Sequence, residues 1–441
     1  MPLLRPGRPA ATSVQDAGSS VAKKRSRISL PVLCILLFCS AGYGQNPPST
    51  PYVPITMQQA VDLARLKNPT MLSAQQNLLS VKAQEIQAGV RANPYFAFGG
   101  TNITLPARGA ANPYAYSVGV SRLFERGEKR RWRLDSARST TAQTDAQYHA
   151  QEQQTILQVR QAFTNLVIAK AAKKIADDNL ADFKHELDIY QERLKAGDLA
   201  KLDFERLDLQ LAQFESDELN AITNTQQASA QLQVLLGYDK PRQDFDVVGD
   251  VVPPVVSGTM ENLEQKALDA RPDYHAAQRG VAVADANVKL AYANGTADPT
   301  LEGEYDRSGT DNSAGFNLNI PVRLFDRNQG NKETSKYLAQ ASRFTELALR
   351  NQVVSDVDQA WIGYINAKAL SDRYNGHYLA EAKDVLDISK FSYEHGGLAL
   401  IDYLDALRES RAVTSDALNS YAQTWMAIHQ LSFASATDVV P

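Results

Sequence analysis

The sequence is poorest in cysteine, and the two cysteines that it has lie near its start. Cys34 and Cys39 are the only ones among the 441 residues. A chain without thiols cannot form disulfide bonds, thiolate metal sites or cysteine nucleophiles. These three kinds of chemistry are therefore excluded for everything beyond the N-terminal segment.

The sequence also lacks the short motifs that mark many enzymes and metal sites. It contains no P-loop, no G-x-S-x-G and no G-x-G-x-x-G. The histidines are scattered, with no pair spaced to place two imidazoles on one helix face. The six are His149, His185, His275, His377, His395 and His429. We expect no enzyme activity, no cofactor and no tightly bound metal, and His395 is the only histidine close to a predicted functional segment.

The chain has one strongly apolar run, and that run is short. Residues 28–38 are apolar, follow four basic residues and precede small residues suited to cleavage before Gln45. This order predicts an export signal over residues 1–44, because so short a run cannot span a bilayer as a mature helix. The alternatives are an uncleaved anchor and a lipid on Cys39, although Phe38 stands where lipid-anchor signals prefer a small residue.

Removal of that segment makes the net charge more negative. The whole chain has 46 basic and 50 acidic residues, and residues 1–44 hold six of the basic and one of the acidic ones. Residues 45–441 therefore carry a net charge of about −9. Nucleic acid and anionic lipid headgroups are poor main partners for such a protein, because like charges repel.

The pattern of the sequence occurs twice, with an offset of about 200 residues. The matching segments are Thr56-Met57 with Thr259-Met260, Asn68-Pro69 with Arg271-Pro272, Asn93-Pro94 with Asp298-Pro299, residues 122–126 (RLFER) with 323–327 (RLFDR), residues 161–163 (QAF) with 359–361 (QAW), and Gly197-Asp198-Leu199 with Gly396-Gly397-Leu398. A repeat of this length predicts two pseudo-symmetric halves. We divide the chain into a first repeat at 45–240, a linker at 241–258, a second repeat at 259–436 and a tail at 437–441.

Each half is predicted to contain one β-hairpin. Apolar residues alternate with small or polar ones over 95–105 and 114–124, with a turn at 106–113, and again over 301–306 and 315–322. Four strands of this length could cross a membrane but cannot close into a barrel, so their edges require partner chains. The alternative is a soluble sheet of two hairpins.

A long helix is predicted after each hairpin. No glycine or proline occurs between Gly127 and Gly197, which allows a helix of about 105 Å. A glycine tip and an antiparallel return helix follow, and the second half repeats the arrangement around Gly396. Residues 241–258, rich in Val, Pro and Asp, read as a linker with a small strand at 244–252 outside the main body.

These features resemble the outer-membrane efflux proteins, or TolC family, over residues 52–436. The motifs that carry the resemblance are Arg193 with Ala196-Gly197 and Asp203 at the first tip, Gly396 with residues 401–406 (IDYLDA) at the second, and Leu235-Leu236-Gly237 at the end of the first half. Residues 127–130 and 324–330 are similar to the outer-membrane components of cobalt–zinc–cadmium resistance pumps.

The resemblance implies a mainly α-helical fold with a small β part, built as a homotrimer. Three chains would form one 12-stranded β-barrel in the outer membrane of a Gram-negative bacterium, continued by a helical barrel in the periplasm. The implied partners are outer-membrane lipid, a periplasmic adaptor and an inner-membrane transporter of the resistance–nodulation–division (RND) type. The implied function is a passive export duct, with divalent heavy-metal cations as candidate cargo. A multidrug or type I secretion channel of the same fold is one alternative, and a structural periplasmic coiled coil is another.

Two acidic residues are candidates for an aperture. Asp402 and Asp405 share one face of a helix start, so three chains would give two stacked carboxylate rings that favour cations. The alternative is that both are acids favoured by the helix dipole. The resemblance further implies that Tyr393 and a basic residue bond Asp203, but Leu398 stands at that basic position here.

Small and apolar residues at the two tips are candidates for docking the adaptor. A glycine lets the chain reverse tightly and exposes backbone to a partner helix. The candidates are Gly197, Leu199 and Ala200 on the first tip and Gly396, Leu398 and Ala399 on the second.

Overall fold

The structure, a computed structural model, describes residues 54–101 and 114–440. The predicted export signal, Cys39 as a lipid site, residues 102–105 of the first predicted strand and the turn at 106–113 lie outside the described residues. Nine α-helices, a π-helical turn and four strands occur in the described ranges. They are α1 (Met57–Lys67), α2 (Pro69–Gly89), β1 (Tyr95–Thr101), β2 (Ala115–Leu123), α3 (Lys129–Ala196), α4 (Lys201–Leu235), α5 (Met260–Ala270), α6 (Pro272–Asn294), β3 (Thr300–Ser308), β4 (Asp311–Asn319), α7 (Gln329–Arg373), the π turn (Tyr374–Tyr378), α8 (Leu379–Glu394) and α9 (Leu400–Ala434).

The two halves repeat the same order of elements, which confirms the predicted duplication. Each half has two short helices, a hairpin, a long helix and a return helix. Helices α1 and α5 both have 11 residues, and the return helices α4 and α9 both have 35. Helix α3 runs without a break for 68 residues, as expected from its lack of glycine and proline.

The helix breaks follow from capping residues. Thr56 forms a capping box with Gln59 at the start of α1. Asn68 separates α1 from α2, where its side-chain oxygen accepts from the N–H of Thr70 at 2.8 Å. The amide nitrogen of Asn68 donates to the carbonyl of Leu235 at 2.8 Å, and this bond ties the kink to the end of the return helix.

The four strands form one antiparallel sheet in the order β1-β2-β3-β4. The second hairpin begins earlier than predicted and ends at Asn319, so Ile320 and Val322 follow the sheet instead of belonging to it. Within the sheet, β1 and β4 are the edge strands, and each pairs on one side only.

The register gives the sheet one apolar and one polar face. Because successive side chains point to opposite faces, cross-strand partners share a face. Phe96, Val120, Gly303 and Phe316 are aligned across all four strands. The apolar face is completed by Phe98, Tyr116, Val118, Leu301, Tyr305, Ala314 and Leu318. The other face consists mainly of small and acidic residues, among them Ser117, Gly119, Ser121, Glu302, Glu304, Asp306 and Asn317.

Two equivalent hydrophobic cores lie beside the short helices of each half. The first packs α1 against α3 and α4 around Phe163 and Leu232. The second packs α5 against α7 and α9 around Val357 and Leu431. Paired apolar faces of this kind hold the first short helix of each half against its long helices.

The segment predicted as an outlying strand belongs to the first core. Phe245 and Val247 are buried there, and Val247 makes a single parallel bridge with Ile55 instead of a strand. The Lys170 ammonium donates to Asp246 and to the carbonyl of Val247 at 2.8 Å, which fixes the segment on α3. The prediction of a strand outside the main body was therefore wrong, because long-range contacts bury Phe245 and Val247 in the first core.

The π turn interrupts the long helix of the second half and has no counterpart in α3. It spans Tyr374–Tyr378 and contains Gly376. Tyr421 of α9 donates to the side chain of Asn375 at 3.3 Å, so the turn stays attached to the return helix. Within the described part of the chain, every helix is too polar or too short to serve as a membrane-spanning helix.

Candidate functional site

The two helical tips have the same backbone geometry. Gly197 (φ 86°) and Gly396 (φ 75°) both occupy the left-handed region, which favours glycine. At the first tip the N–H of Asp198 donates to the carbonyl of Arg193, and at the second the N–H of Gly397 donates to that of Ser392. At both tips the preceding helix is therefore closed by an equivalent backbone bond, as the repeated glycines predicted.

The two return helices begin with equivalent backbone hydrogen bonds. The carbonyl of Ala200 accepts from the N–H of Asp203 at 3.1 Å, and that of Ala399 accepts from the N–H of Asp402 at 3.1 Å. Ala200 and Ala399 are themselves exposed at the tips. Each tip thus presents a glycine, a small residue and exposed backbone.

A shared apolar cluster joins the two tips. It contains Leu180, Phe183, Tyr190, Leu207, Phe214, Leu400, Tyr403 and Leu404. Leu199 and Leu398, predicted to face an adaptor, are half-buried against this cluster. Their apolar side chains pack against this cluster. The exposed docking candidates are therefore Gly197, Ala200, Gly396 and Ala399.

Three tyrosines stack within this cluster. The ring of Tyr393 lies parallel to that of Tyr403, with centroids 5.5 Å apart and planes 5° apart. Tyr190 lies 5.9 Å from Tyr393 on a tilted plane. Burial raises the pKa of Tyr403, and the neighbouring Glu186 raises it further. Burial also raises the pKa of Tyr190 and of Tyr393, so all three hydroxyls stay protonated over the physiological range.

The bond between Tyr393 and Asp203 that the resemblance implied is absent. The Tyr393 hydroxyl is buried and has no hydrogen-bond partner among the residues that the structure describes. Burial raises the pKa of Tyr393, and the negative charge of Asp203 raises it further, so the two groups are near each other. Asp203 instead approaches Arg206 of its own helix at 3.7 Å. Stacking on Tyr403 holds the Tyr393 ring in this unbonded position.

The two candidate aperture acids differ in their surroundings. Both are exposed at the start of α9. Asp405 forms an ion pair with Arg408 at 2.6 Å, whereas Asp402 has no ion-pair partner among the described residues. Asp402 therefore supplies the larger unneutralised charge at this tip.

Two ionic links between the halves were missed by sequence reasoning. Lys390 of α8 forms an ion pair with Glu186 of α3, and the Tyr403 hydroxyl of α9 donates to the same carboxylate at 2.9 Å. Burial opposes the charge of Lys390, but the bond to Glu186 outweighs it and leaves the pKa of Lys390 raised. No local motif marks these residues, because the partners lie some 200 positions apart in the sequence.

The second link joins the return helices. The Arg411 guanidinium of α9 forms an ion pair with Asp217 of α4. The same guanidinium lies over the ring of Phe214, 4.2 Å from its centroid. We call α3 and α4 the first-half arm, and α7, the π turn, α8 and α9 the second-half arm. Both links join the two arms on the side of the candidate aperture acids.

A buried histidine lies farther from the tips, where α3 meets α9. The His429 ring is within 2.8 Å of the Thr164 hydroxyl and stacks on Trp425. Burial lowers the pKa of His429 to about 4, the positive charge of Arg160 lowers it further, and Asp438 acts in the opposite direction. His429 is therefore neutral at physiological pH.

No metal centre is present in residues 54–101 and 114–440. No group of three or more His, Cys, Asp or Glu side chains is placed to hold an ion there. His395, the histidine nearest a tip, lies 2.8 Å from the carbonyl of Phe391 through its Nδ1 and stacks on the Phe391 ring. These contacts make it part of the helix end.

The chain resembles a protein family and several known proteins. Residues 60–238 match the family model described as "Outer membrane efflux protein". The chain is 23% identical over 414 residues to the cobalt-zinc-cadmium resistance protein CzcC of Cupriavidus metallidurans, covering 91% of this chain and 97% of that protein. It is 25% identical over 343 residues to the outer membrane protein TolC of Vibrio cholerae, covering 73% and 76%.

Solved structures share the fold. A solved structure of CusC superposes with a TM-score of 0.73 at 20% identity, covering 88% of this chain and 93% of the CusC chain. A membrane protein from Pseudomonas aeruginosa gives a TM-score of 0.74 at 19% identity, covering 86% and 92%. These similarities confirm the resemblance and the mainly helical fold predicted from the repeated motifs.

Proposed function

We propose that the chain is an outer membrane efflux protein and serves as the passive duct of a tripartite efflux pump, because residues 60–238 match that family model and one relative is similar over 91% of the chain. In this proposal three copies form one 12-stranded barrel in the outer membrane. Their helical arms form a tube in the periplasm that docks onto an adaptor and an RND transporter. The chain is then a conduit, and the inner-membrane transporter supplies the energy and selects the cargo.

The observation that carries the proposal is the amphipathic sheet with two open edges. One face is apolar and exposed, with Phe96, Phe98 and Phe316 each at least 70% accessible. Both edge strands keep unpaired backbone groups, which lipid does not tolerate. A ring of copies pairs these edges, turns the apolar face to lipid and encloses the polar face.

The tips supply an aperture in this proposal. Asp402 and Asp405 of three chains would surround the axis, with Asp402 providing most of the unneutralised charge. The Glu186–Lys390 and Asp217–Arg411 links would hold the aperture closed. They would serve in place of the bond at Leu398 that this chain lacks. Adaptor contact at Gly197, Ala200, Gly396 and Ala399 would act on arms that these links restrain.

Divalent heavy-metal cations are the cargo that we favour. The polar face of β3 carries Glu302, Glu304 and Asp306, which would line the barrel with negative charge. Acidic linings favour cations without binding them tightly, as conduction requires. The similarity to a cobalt-zinc-cadmium resistance protein over most of both chains supports the same cargo. A multidrug or type I secretion channel of the same fold is the alternative.

Single-channel recording of the purified protein in planar bilayers tests the duct. We expect stable trimers, a cation-preferring conductance and block by divalent cations. Asp402→Ala with Asp405→Ala should weaken cation preference and divalent block several-fold, because the two carboxylate rings are removed. Asp145→Ala with Glu346→Ala, which removes two carboxylates from the helical shafts, is the matched control.

Two results would contradict the proposal. A monomeric protein without conductance would exclude the duct itself. Unchanged selectivity and divalent block in the Asp402/Asp405 variant would leave the duct in place but exclude these residues as its aperture.

A further inference from the structure

The repeated RLF(E/D)R motif is not used by the duct described above. We propose that it forms a binding site for the phosphate of anionic phospholipid headgroups at the periplasmic rim of the sheet. The arginines Arg122, Arg126, Arg323 and Arg327 would bind phosphate, and Phe124 and Phe325 would enter the acyl region. This inference rests on the proposed placement of the sheet in the outer membrane.

Both copies of the motif lie at the same end of the sheet. Leu123 ends β2 and pairs with Thr300 of β3, which pairs with Asn319 at the end of β4. The long helices begin a few residues after each motif, at Lys129 and Gln329. The motifs therefore occupy the level where the strands end and the helical part begins.

Arg122 lies on the apolar face of the sheet. It follows Val118 and Val120 in the same alternation and aligns with Leu301 and Leu318. Its guanidinium lies 5.2 Å from the centroid of the Phe124 ring, and both side chains are exposed. A charge at the border of an apolar face suits the headgroup region, because an arginine can keep its stem in the apolar layer and its charge in the polar one.

The side chains around this rim leave positive charge unneutralised. Residues 122–133 contain six basic and two acidic residues in a chain whose net charge is negative. Glu125 forms an ion pair with Arg133, and Asp298 forms one with Lys129. Arg126 is exposed and forms no ion pair with any residue in the described ranges. The overall charge that argued against anionic headgroups therefore does not describe this rim.

The second copy of the motif shows the same lack of partners. Phe325 is 91% exposed and Leu324 is 63% exposed. The Nε of Arg323 is buried without a hydrogen-bond partner in the described part of the chain. An unpaired buried charged donor is costly, so a partner from outside the chain is expected. A phosphate accepts such bonds in the planar geometry that guanidinium groups provide.

A lipid surface explains both parts of the motif, whereas a free anion explains only the arginines. Exposed Phe124, Leu324 and Phe325 need an apolar environment, and the arginines beside them need a negative one. Phospholipid with an anionic headgroup supplies both within a few ångströms. We therefore commit to lipid as the occupant.

Native mass spectrometry of the full chain with bound lipid tests the site. We expect the wild type to retain phosphatidylglycerol in preference to phosphatidylcholine. Arg122→Gln with Arg126→Gln should lower that preference about 25-fold, because each basic side chain near an anionic surface adds about a fivefold factor in affinity. The same loss is expected for Arg323→Gln with Arg327→Gln. Arg350→Gln with Arg373→Gln, two exposed arginines on α7, is the control with equal charge change.

The outcomes separate this site from the duct. The lipid site would be overturned if the preference for phosphatidylglycerol falls no more in the motif variants than in the control. It would also be overturned if inorganic phosphate competes as effectively as phosphatidylglycerol. Dissociation of the trimer in the motif variants would instead identify the motif as a subunit contact and also overturn it. Conductance in neutral phosphatidylcholine bilayers should persist in every motif variant, and its loss would mean a structural role for these arginines.

Discussion

The two halves of the molecule have the same order of elements and the same turn at the end of the return helix, but different side chains at equivalent positions. Gly237 ends the first half in the left-handed region (φ 81°), and Ala436 ends the second half in the same region (φ 50°). Both turns are closed by equivalent backbone bonds, from Tyr238 to Gln233 and from Thr437 to Ser432. The packing of the return helix therefore imposes this conformation even where the residue disfavours it.

The long helices of the two halves also differ. The first-half arm contains the continuous α3, whereas the second-half arm is divided by the π turn. The second half also carries His429, where the first half has Ala230 at the equivalent position of the return helix. The order of elements is thus shared by the two halves, whereas the π turn and His429 occur in the second half alone among these equivalent positions.

The strongest test of this comparison is at the two turn residues. Gly237→Ala should destabilise the protein by about 4 kcal/mol, because the added Cβ meets the carbonyl of Lys67 and the left-handed conformation is strained. Ala436→Gly should stabilise it by about 1 kcal/mol by removing the same strain. Apparent free energies of unfolding from chemical denaturation measure both. Equal and small effects at the two positions would show that the halves are not conformationally equivalent.

A smaller effect is expected at His429. Its pKa is about 4 in the folded protein, below the 6.5 of an exposed histidine. The unfolded chain therefore binds a proton first as pH falls, and stability is lost between pH 6.5 and pH 4, by about 3 kcal/mol. His429→Gln keeps a polar group beside Thr164 but should remove this part of the pH dependence.

Unfolding measured at several pH values checks the prediction. His275→Gln is the control, since His275 is only half-buried and its Nε2 lies 3.0 Å from the carbonyl of Asp269. A wild-type profile that His429→Gln leaves unchanged would assign the acid sensitivity to other groups.

The smallest effect is expected at the link between the arms. Lys390→Gln removes the ion pair with Glu186, whose partly exposed geometry corresponds to about 1 kcal/mol. In the proposed duct, that loss would raise the open fraction of the aperture about fivefold in single-channel records. Lys368→Gln breaks an ion pair within α7 alone and is the matched control. An equal change in both variants would mean that the link does not restrain the arms.

Much of the fold could be predicted because its signals are local. The long helices follow from the lack of glycine and proline, and the tips follow from single glycines in the left-handed region. The hairpins were found but their ends shifted, since alternation continues past Asn319 without strand pairing. Asp402 and Asp405 were predicted as aperture residues from their spacing, and this stays a prediction; the ion pair of Asp405 with Arg408 was not foreseen.

The sequence by itself determined the duplicated order of elements, the positions of the tips and the amphipathic alternation of the strands. Each depends on backbone preferences and periodicity over a few residues. Only the tertiary structure decided that Phe245 and Val247 of the linker are buried, that the Tyr393 hydroxyl lacks a hydrogen-bond partner among the described residues, and that Lys390 and Arg411 join the two arms. Those outcomes depend on contacts between residues far apart in the chain, and no local pattern specifies which distant groups the packing brings together.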